Sequence, residues 1–408
     1  MLPSVATRTS RVHPLLGGVR HPRWHDGAMR TRGRRCVLLV PAVLALMACS
    51  TSPTAPPPSP STSSTATPSA ESTTDQPAPA PDGYPGPVRI AVVGDIHFEG
   101  PLAPRLRDPA RALAPVSDGL SVADLTIANL ETSIGTGGQP EAGKRFTFSA
   151  GPEAFTALAA AGIDVATMAN NHALDYGRAR LPSTFRAIRR ASRADTPLEV
   201  VGIGRDADEA FAPVVHDVRG TRIATLGASV ADQDPTADPT RDWAATDDRA
   251  GIAVALDPTR LLQEVRRTRR SADVVVVYLH WGIQGQRCPS QDQRTLATDL
   301  VGAGADIVVG SHAHRLQGDG RLGSGYVAYG LGNYAWYSPG DSTTSRTGVL
   351  NLTVRPRAAG PRPPHVVRAA WLPQRIGADG LAATATPRDA TAFRADRESL
   401  RACSGLRP

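Results

Sequence analysis

Short segments rich in β-forming residues alternate with helical segments from residue 88 onward. The clearest strand is 273–279, where four consecutive valines follow Asp273, a composition typical of a strand buried on both faces. Residues 88–93 have the same character, and helical stretches such as 178–192 and 291–303 separate these strands. The alternation predicts an α/β fold in which helices cover the sheets.

Polar residues that can bind metal ions collect where the predicted strands end. In open α/β sheets, binding sites lie beyond the carboxyl ends of the strands. Five of the seven histidines that follow residue 88 occupy such ends. Histidine nitrogen and carboxylate oxygen without cysteine predict a Zn, Mn, Fe or Ni site rather than a Ca site. The residues concerned are Asp95, His97, Asn129, Glu131, Asn171, His172, His280, His312 and His314.

Two of these histidines lie close together, because only Ala313 separates His312 from His314. On extended backbone, alternate side chains point to the same side, so we expect both imidazoles to face one site. A lone histidine after a strand is more often a structural residue. Five histidines that converge predict a set of metal ligands, because burying polar side chains without partners is costly in free energy.

The motifs at these strand ends occur in an order that resembles the CapA family, which is associated with poly-γ-glutamate capsule synthesis and with calcineurin-like metallophosphatases. The resemblance extends over residues 88–340. It implies a metallophosphatase-like αββα sandwich, in which two sheets are flanked by helices. The motifs are Gly94-Asp95, Asn129-Leu130-Glu131, Asn171-His172, His280-Trp281-Gly282, Gly310-Ser311-His312-Ala313-His314 and Gly330-Leu331-Gly332-Asn333-Tyr334.

The resemblance also implies a site for two divalent metal ions. Glu131 would bridge the two ions, at a position where the phosphatases use an aspartate. Asn129 would be either a ligand or a residue that orients one. The first ion would be bound by Asp95, His97 and His314, and the second by Asn171, His280 and His312.

Catalytic and substrate-binding roles follow from the same resemblance. His172 would donate a proton or stabilise developing negative charge, and Asp175 would hold its tautomer. Lys144 and Arg145 are open to two interpretations: they receive an anionic substrate group, or they form a solvated surface pair. The candidate substrate-binding residues are Asn129, Lys144, Arg145, Gln317 and Asn333.

One position departs from the family pattern, and two other parts of the motifs have more than one interpretation. The family commonly has a glutamate two residues after the His-Trp-Gly triplet, and this chain has Gln284 there. If that carboxylate tunes the metal charge or acts as a base, catalysis would be weakened. Trp281 is either a wall for the substrate or part of the core. The Gly330–Asn333 segment either shapes a tight turn near the site or contacts the ligand directly.

The first part of the chain has the features of an export signal. Four arginines between Arg30 and Arg35 precede the apolar run 36–47, which is too short for a membrane span of about 20 residues and suits a signal peptide. Residues 46–49, Leu-Met-Ala-Cys, resemble a bacterial lipobox, so Cys49 is the expected lipidation site. The alternative is an ordinary secretory signal in which Cys49 is incidental. Met29 is the expected start of translation.

The excess positive charge belongs to this leader. Residues 1–48 hold eight arginines against Asp26, and the remaining chain is balanced. Nucleic-acid binding therefore loses its electrostatic basis. Residues 50–81 are almost entirely Ser, Thr, Pro and Ala, which predicts a tether without a core. We expect a leader over 1–48, a lipidated cysteine and tether over 49–86, and one globular domain over 87–408, exported and anchored to the outer face of the cell membrane.

Cysteine usage adds a covalent prediction. Cys36 would leave with the signal and Cys49 would carry lipid, so the mature chain would keep Cys288 and Cys403. Two remaining thiols in an exported domain favour a disulfide. Two free cysteines are the alternative.

Three functions fit these observations. The first is a metal-dependent hydrolase that acts on a phosphoester, or on an amide of an anionic envelope polymer. The second is a non-catalytic component of a capsule synthesis or export machine, which binds polymer or metal together with other capsule synthesis proteins. The third is a metal-dependent sensor or scavenger lipoprotein. The complete ligand set favours the hydrolase, and Gln284 keeps the second function open.

Overall fold

The computed structural model describes residues 86–337, 343–356 and 365–408. The expected leader, the Cys49 lipidation site and the tether lie outside the described residues. The strands are β1 (Val88–Ile96), β2 (Leu125–Leu130), β3 (Ser133–Ile134), β4 (Ser149–Ala150), β5 (Val165–Thr167), β6 (Glu199–Val201), β7 (Ile203–Gly204), β8 (Val214–Val218), β9 (Thr221–Ser229), β10 (Gly251–Ile252), β11 (Val274–Trp281), β12 (Ile307–His312), β13 (Asp319–Leu322), β14 (Gly325–Ala328), β15 (Asn333–Ala335), β16 (Arg346–Arg355), β17 (His365–Ile376) and β18 (Ala382–Thr384).

Seven α-helices and four short 3₁₀ helices connect these strands within the described ranges. The α-helices are α1 (Ala114–Leu120), α2 (Glu153–Ala160), α3 (Leu181–Ala191), α4 (Ala207–Phe211), α5 (Thr259–Thr268), α6 (Gln291–Ala303) and α7 (Pro387–Ser404). The 3₁₀ helices are Gly100–Arg107, Arg178–Arg180, Ala231–Gln233 and Arg241–Trp243. Among the described residues, no helix combines the length and the apolar character that crossing a bilayer requires.

Two mixed sheets form the centre of the fold. The first has eight strands in the order β18-β17-β16-β1-β2-β5-β6, with β15 also paired to β1. In it β1, β2, β5 and β6 run parallel, whereas β16, β17 and β18 are antiparallel to their neighbours. The second sheet has six strands in the order β13-β14-β12-β11-β9-β8, with a parallel centre formed by β14, β12, β11 and β9. The carboxyl ends of the parallel strands therefore lie together at one edge of each sheet.

Alternating side chains place the two sheets face to face. On β1, Ile90 and Val92 join a buried cluster that also contains Val274 and Val276 of β11. The alternate residues Ala91 and Val93 pack instead among residues of α1, α2 and α3, and the opposite face of β11 packs against α5 and α6. Because strand side chains alternate with a period of two, each sheet has one face toward the other sheet and one toward helices. The predicted αββα sandwich is confirmed.

The structure differs from the sequence-based expectation at one predicted strand. The sequence of residues 199–203 predicts a single strand, but the backbone turns at Gly202, which has a φ of +83° and separates β6 from β7. A Cβ atom on Gly202 would lie 2.5 Å from the Cβ of Ala169, so a side chain at this position would have to displace its neighbour.

The C-terminal helix α7 is tied to the domain by charge pairs and by a covalent bond. Arg397 donates to the buried Asp319 at 2.6 Å, and Asp396 accepts from Arg287 and Arg346. Cys403 forms a disulfide with Cys288, with their Cα atoms 5.8 Å apart. The predicted disulfide is confirmed, and it joins α7 to the loop that follows β11.

Candidate metal centre

The candidate site lies where the carboxyl ends of the two sheets meet. Asp95 is near the end of β1 and Glu131 immediately follows β2. His280 is near the end of β11 and His312 is the last residue of β12. Each side chain is fully buried, so the site is a polar pocket enclosed by the sandwich.

Glu131 is a buried carboxylate without a hydrogen-bond partner. Neither of its oxygens is hydrogen-bonded, although its Oε1 atom lies 3.5 Å from His280 Nε2, 3.7 Å from His172 Nε2 and 4.0 Å from His314 Nε2. These distances exceed those of hydrogen bonds. An unpartnered carboxylate is costly to bury, and three nitrogens at this spacing around it fit a cation held between them.

The first candidate ligand group contains Glu131, His280 and His312, whose coordinating atoms all lie within 4.8 Å of one another. The Nε2 atom of His280 lies 2.7 Å from Asn171 Oδ1 and 3.1 Å from His312 Nδ1. The Nε2 atom of His280 has either one proton or one lone pair. It cannot form hydrogen bonds with Asn171, His312 and Glu131 at the same time. The convergence of these atoms suits one metal ion with ligands at about 2.0–2.2 Å.

The second candidate group contains Asp95, Glu131 and His314, with atoms again within 4.8 Å of one another. The Oδ2 atom of Asp95 lies 3.3 Å from His314 Nδ1. Glu131 belongs to both groups, which is the position that a bridging ligand would occupy. The buried donor set of imidazole, carboxylate and amide oxygen therefore fits the two ions that the resemblance implies.

The protonation state differs between the two groups of candidate ligands. Burial lowers the pKa of His280 to about 3 and that of His312 to about 4, so both rings are neutral at pH 7. Burial opposes charge on His314 as well, but the carboxylates of Glu131 and Asp95 raise its pKa to about 9. Burial, together with the charge on Asp95, raises the pKa of Glu131 well above its usual value. Positive charge is therefore favoured on this side of the site, where a bound metal ion would displace the proton of His314.

His97 lies beside the two groups rather than within them. Its Nδ1 atom is 2.9 Å from the backbone nitrogen of Glu99, and its Nε2 atom is 3.2 Å from the backbone nitrogen of Tyr337. Its ring stacks on Phe148 and meets the edge of Trp336. Because both ring nitrogens face backbone N–H groups, this arrangement does not reproduce the implied role of His97 as a ligand of the first ion.

The backbone that carries His312 and His314 is not extended. Their φ angles are +95° and +53°, in the region that residues with a side chain rarely adopt. The expectation that the two imidazoles alternate along a strand is therefore wrong, although both reach the site. Such positions are costly and concentrate at functional sites.

His172 and Asp175 form the expected pair. Asp175 Oδ2 lies 2.6 Å from His172 Nδ1, and His172 Nε2 faces Glu131. Asp175 also accepts from Lys144 Nζ. The Lys144 side chain is only 3% exposed, so the interpretation as a solvated surface pair is wrong for it, while Arg145 is exposed and bonded to Asp238.

Four other predicted positions have supporting rather than direct roles in this arrangement. Asn129 donates to Asp95 Oδ1 at 2.8 Å and touches His280, so it orients ligands. Asn333 accepts from His314 Nδ1 at 2.8 Å. Gln317 is buried and binds Gln293 and the backbone carbonyls of Gln286 and Cys288, which uses its amide for structure and not for substrate. Trp281 is fully buried against Tyr329 and is therefore a core residue.

The Gly330–Asn333 segment forms a turn that touches β1. The carbonyl of Gly332 accepts from Asp95 N at 3.0 Å. A Cβ atom on Gly94 would lie 1.8 Å from that carbonyl oxygen, so this close approach requires glycine at position 94. The turn therefore fixes the backbone from which Asp95 reaches the site.

Asp234 is a site residue that the sequence analysis missed. It is buried, and its Oδ2 atom accepts from His312 Nε2 at 3.1 Å and from Gln284 N at 2.9 Å. A carboxylate on the outer nitrogen of a ligating histidine is the usual second contact in metal sites. Asp234 lies after β9, in a stretch rich in Asp and Pro, and only its position after a strand was a usable signal.

A cavity of about 290 Å³ opens beside the cluster. Its walls are largely aromatic, and Phe146 is 55% exposed. The cavity gives a ligand access to His172 and His314 from outside. Its lining residues are Phe146, Phe148, His172, Gln284, His314, Asn333, Trp336, Tyr337 and Thr344.

Curated relatives have names that concern capsule synthesis. The chain is 34% identical over 219 residues to the capsule biosynthesis protein CapA of Bacillus anthracis, which covers 53% of this chain and 50% of the relative. It is 28% identical to the PGA biosynthesis protein CapA of Bacillus subtilis, covering 54% of each chain. It is 27% identical to a probable polyglutamine synthesis accessory protein of Mycobacterium tuberculosis, covering 62% of this chain and 66% of that one. The chain thus spans about half the length of the first two relatives.

Solved structures with a similar arrangement are more distant. A phosphatase of Mycoplasma pneumoniae has a TM-score of 0.41 at 12% identity, covering 75% of this chain and 97% of that one. The 5′-nucleotidase of Candida albicans has a TM-score of 0.38 at 11% identity, covering 78% and 60%. At these TM-scores the solved structures carry no argument about the fold, which is described above from the sheets of this chain.

A family model matches more than half of the chain. The model described as "Bacterial capsule synthesis protein PGA_cap" matches residues 89–337. That range begins in β1 and ends after β15, so it contains every residue of the two candidate ligand groups. The chain belongs to the bacterial capsule synthesis protein PGA_cap family.

Proposed function

We propose that this protein is a metal-dependent hydrolase of the cell envelope, which cleaves a phosphoester or an amide bond during synthesis of poly-γ-glutamate or a related polymer. The observation that carries the proposal is the unpartnered carboxylate of Glu131 between three imidazole nitrogens. The printed names of the relatives, which concern capsule and PGA synthesis, support the choice of polymer.

Two ions would be held by the groups described above, with Glu131 between them and Asn171 adding an amide oxygen. When bound, such ions neutralise charge on the group under attack and so stabilise the transition state. The ion ligands come from two sheets, so the substrate would lie across the seam between them. Mn, Fe, Zn and Ni all suit these donors.

His172 would move the proton. Burial lowers the pKa of His172 well below its usual value, so the ring is neutral before reaction. With the Nδ1 proton donated to Asp175, the Nε2 atom carries a lone pair toward the cluster. We therefore expect Nε2 to take up the proton that the attacking water loses and then to pass it to the leaving group.

The test is a metal and activity measurement on the full chain. The purified protein would be stripped with a chelator, reloaded separately with Mn, Fe, Zn or Ni, and assayed on bis(p-nitrophenyl) phosphate and on poly-γ-glutamate. We expect binding of two ions and metal-dependent turnover of one substrate class, both lost in Glu131→Gln. Stoichiometric metal without turnover of either substrate would refute the hydrolase, and absence of metal binding would refute the site itself.

A non-catalytic polymer-binding role is the second candidate, because Gln284 lines the cavity where the family commonly has glutamate. The variant Gln284→Glu separates the two functions. If a missing carboxylate limits catalysis, this variant gains turnover while its metal content stays the same. If the protein only binds polymer, the variant gains no turnover and binds the polyanion less tightly.

We propose the same envelope location that the leader predicts, with the chain exported and anchored through lipid on Cys49. The motif over 46–49 and the neutral charge of the following residues support this location. Capsule synthesis proteins in the same membrane are the proposed partners, and no nucleic acid is among them.

A further inference from the structure

We propose that residues 144–148, which we call the strap, position His172 and thereby fix the direction of its proton transfer. The strap is the segment Lys-Arg-Phe-Thr-Phe. This inference rests on the proposed function for the chemistry of His172, but the contacts that carry it are independent of any metal ion. Lys144 and Phe148 would be positioning residues, because they act through His172 and Asp175.

The first contact is the ammonium of Lys144. Its Nζ atom donates to Asp175 Oδ1 and to the backbone carbonyl of Asn171, and it lies 4.6 Å above the ring of Trp243. The ammonium therefore holds the carboxylate of Asp175 and the backbone immediately before His172. Both ends of the His172–Asp175 turn are fixed by one side chain.

The second contact comes from Phe148 at the other end of the strap. Its backbone nitrogen donates to Asp175 Oδ2 at 2.6 Å, the same oxygen that His172 Nδ1 reaches at 2.6 Å. Its ring stacks on His172 with centroids 4.0 Å apart and planes 15° apart. On its other side the same ring stacks on His97, at 4.7 Å. The plane of the His172 ring is thus set by stacking, and its rotation within that plane by Asp175.

The third contact anchors the middle of the strap to the opposite half of the site. Arg145 donates to Asp238 through its backbone nitrogen and through Nε, each at 2.9 Å. Asp238 follows Asp234 by four residues, and Asp234 holds His312. The strap therefore links the residue that moves the proton to the loop that orients a candidate ligand.

A purely structural role for Lys144 would be to neutralise the buried charge of Asp175. That role predicts a loss of stability and an equal loss of rate for every substrate. A positioning role predicts a loss of rate that is larger for a leaving group that needs a proton than for one that does not. The two roles can therefore be separated with aryl phosphodiesters that release either p-nitrophenol or phenol.

The experiment compares wild type, Lys144→Met, Lys144→Arg and Phe148→Leu in the full metal-loaded chain. Arg105→Met and Phe185→Leu serve as controls, because both lie outside the candidate site. We expect metal content to be unchanged in every variant. Lys144→Met and Phe148→Leu should lower kcat for release of phenol about 10- to 100-fold more than for release of p-nitrophenol, which is part of the roughly 10²- to 10⁴-fold that a positioned proton donor contributes. Lys144→Arg should restore part of the difference.

A second readout makes the test independent of turnover. Long-range ¹H–¹⁵N spectra report which nitrogen of His172 carries the proton, in the metal-stripped chain. We expect a single Nδ1-protonated tautomer in wild type and a mixture in Lys144→Met and Phe148→Leu. If wild type hydrolyses no ester but the tautomer changes as expected, the proposed function fails and the positioning role stands. An unchanged tautomer, or equal rate losses for both leaving groups, would overturn the proposal that the strap positions His172.

Discussion

The Oδ2 atom of Asp234 lies 3.1 Å from the Nε2 atom of His312, on the ring edge opposite the one that faces His280. The hydrogen bond places the proton of His312 on Nε2 and leaves the lone pair of Nδ1 toward the cluster. Asp234 thus selects the tautomer in which His312 can act as a ligand.

Asp234→Asn should weaken metal binding by about 10- to 100-fold, the range found when such supporting carboxylates are removed. An asparagine accepts a weaker hydrogen bond and would hold the tautomer less firmly. Competition with a fluorescent chelator measures the affinity. Asp208→Asn is the matched control, because that side chain is 97% exposed. Equal affinities in Asp234→Asn and wild type would remove Asp234 from the site.

Glu131→Gln should change how the stability of the metal-stripped protein depends on pH. The pKa of Glu131 is raised in the folded chain, chiefly by burial, so the folded state binds a proton that the unfolded state releases. The stability contributed by that proton is present below the unfolded pKa of about 4.5. It is lost as pH rises through the folded pKa, by at most about 1.4 kcal/mol per pH unit.

The glutamine variant has no such proton, so its free energy of unfolding should exceed that of wild type increasingly as pH rises from 5 to 8. Urea denaturation with chelator present measures the difference. A constant difference across that range would show that Glu131 does not titrate as its burial implies.

His172→Ala and Asp175→Asn should leave metal content intact and lower hydrolysis by roughly 10²- to 10⁴-fold. Neither residue belongs to the two candidate ligand groups, and only Nε2 of His172 approaches Glu131, at 3.7 Å. Elemental analysis and a phosphodiesterase assay on the same preparation check both parts. Loss of metal in His172→Ala would instead identify His172 as a ligand.

Replacing both Cys288 and Cys403 with alanine should lower the free energy of unfolding by about 2–5 kcal/mol. The disulfide joins residues 115 positions apart and links α7 to the loop after β11. Its loss increases the conformational entropy of the unfolded chain, because a long loop is no longer closed. Thermal unfolding with and without a reductant measures the effect. The reductant should destabilise wild type and leave the double variant unchanged.

Cys49→Ala should release the protein from membranes or leave an unprocessed precursor, if Cys49 carries lipid as we propose. Fractionation of cells that express the two forms provides the measurement. Cys36→Ala, within the apolar run of the same leader, is the matched control and should leave the mature protein in the membrane fraction. The same distribution for Cys49→Ala and wild type would rule out the lipid anchor.

Much of the fold was predictable because local signals agreed with the final packing. Helix α6 was expected at 291–303, and it has those bounds because Ser290 caps its start and Gly304 ends it with a left-handed φ. Helix α7 was missed because Phe393 and Leu400 are its only large buried apolar side chains. Its position depends on distant partners such as Asp319, which no local pattern reveals.

The sequence predicted which residues form the site better than it predicted how they are arranged. Residues after strands converge because parallel strands end at one edge, and this rule placed Asp95, Glu131 and His280 together. The left-handed backbone at His312 and the hydrogen bond from Asp234 follow from tertiary contacts. His97 also lies at the end of a strand, and its role as a ligand came from the resemblance. One of the two backbone amides that face its ring belongs to Tyr337, 240 residues away in the chain.

The two halves of the candidate centre contribute different donor elements. In the two candidate ligand groups, every oxygen donor comes from the eight-stranded half and every nitrogen donor comes from the six-stranded half. Oxygen alone suits magnesium, calcium or manganese, whereas imidazole favours zinc, nickel, copper or iron. In the proposed metal centre, the preference among metals would therefore depend on the spacing between the two sheets. A core substitution that moves one sheet against the other would then change that preference without altering a single ligand.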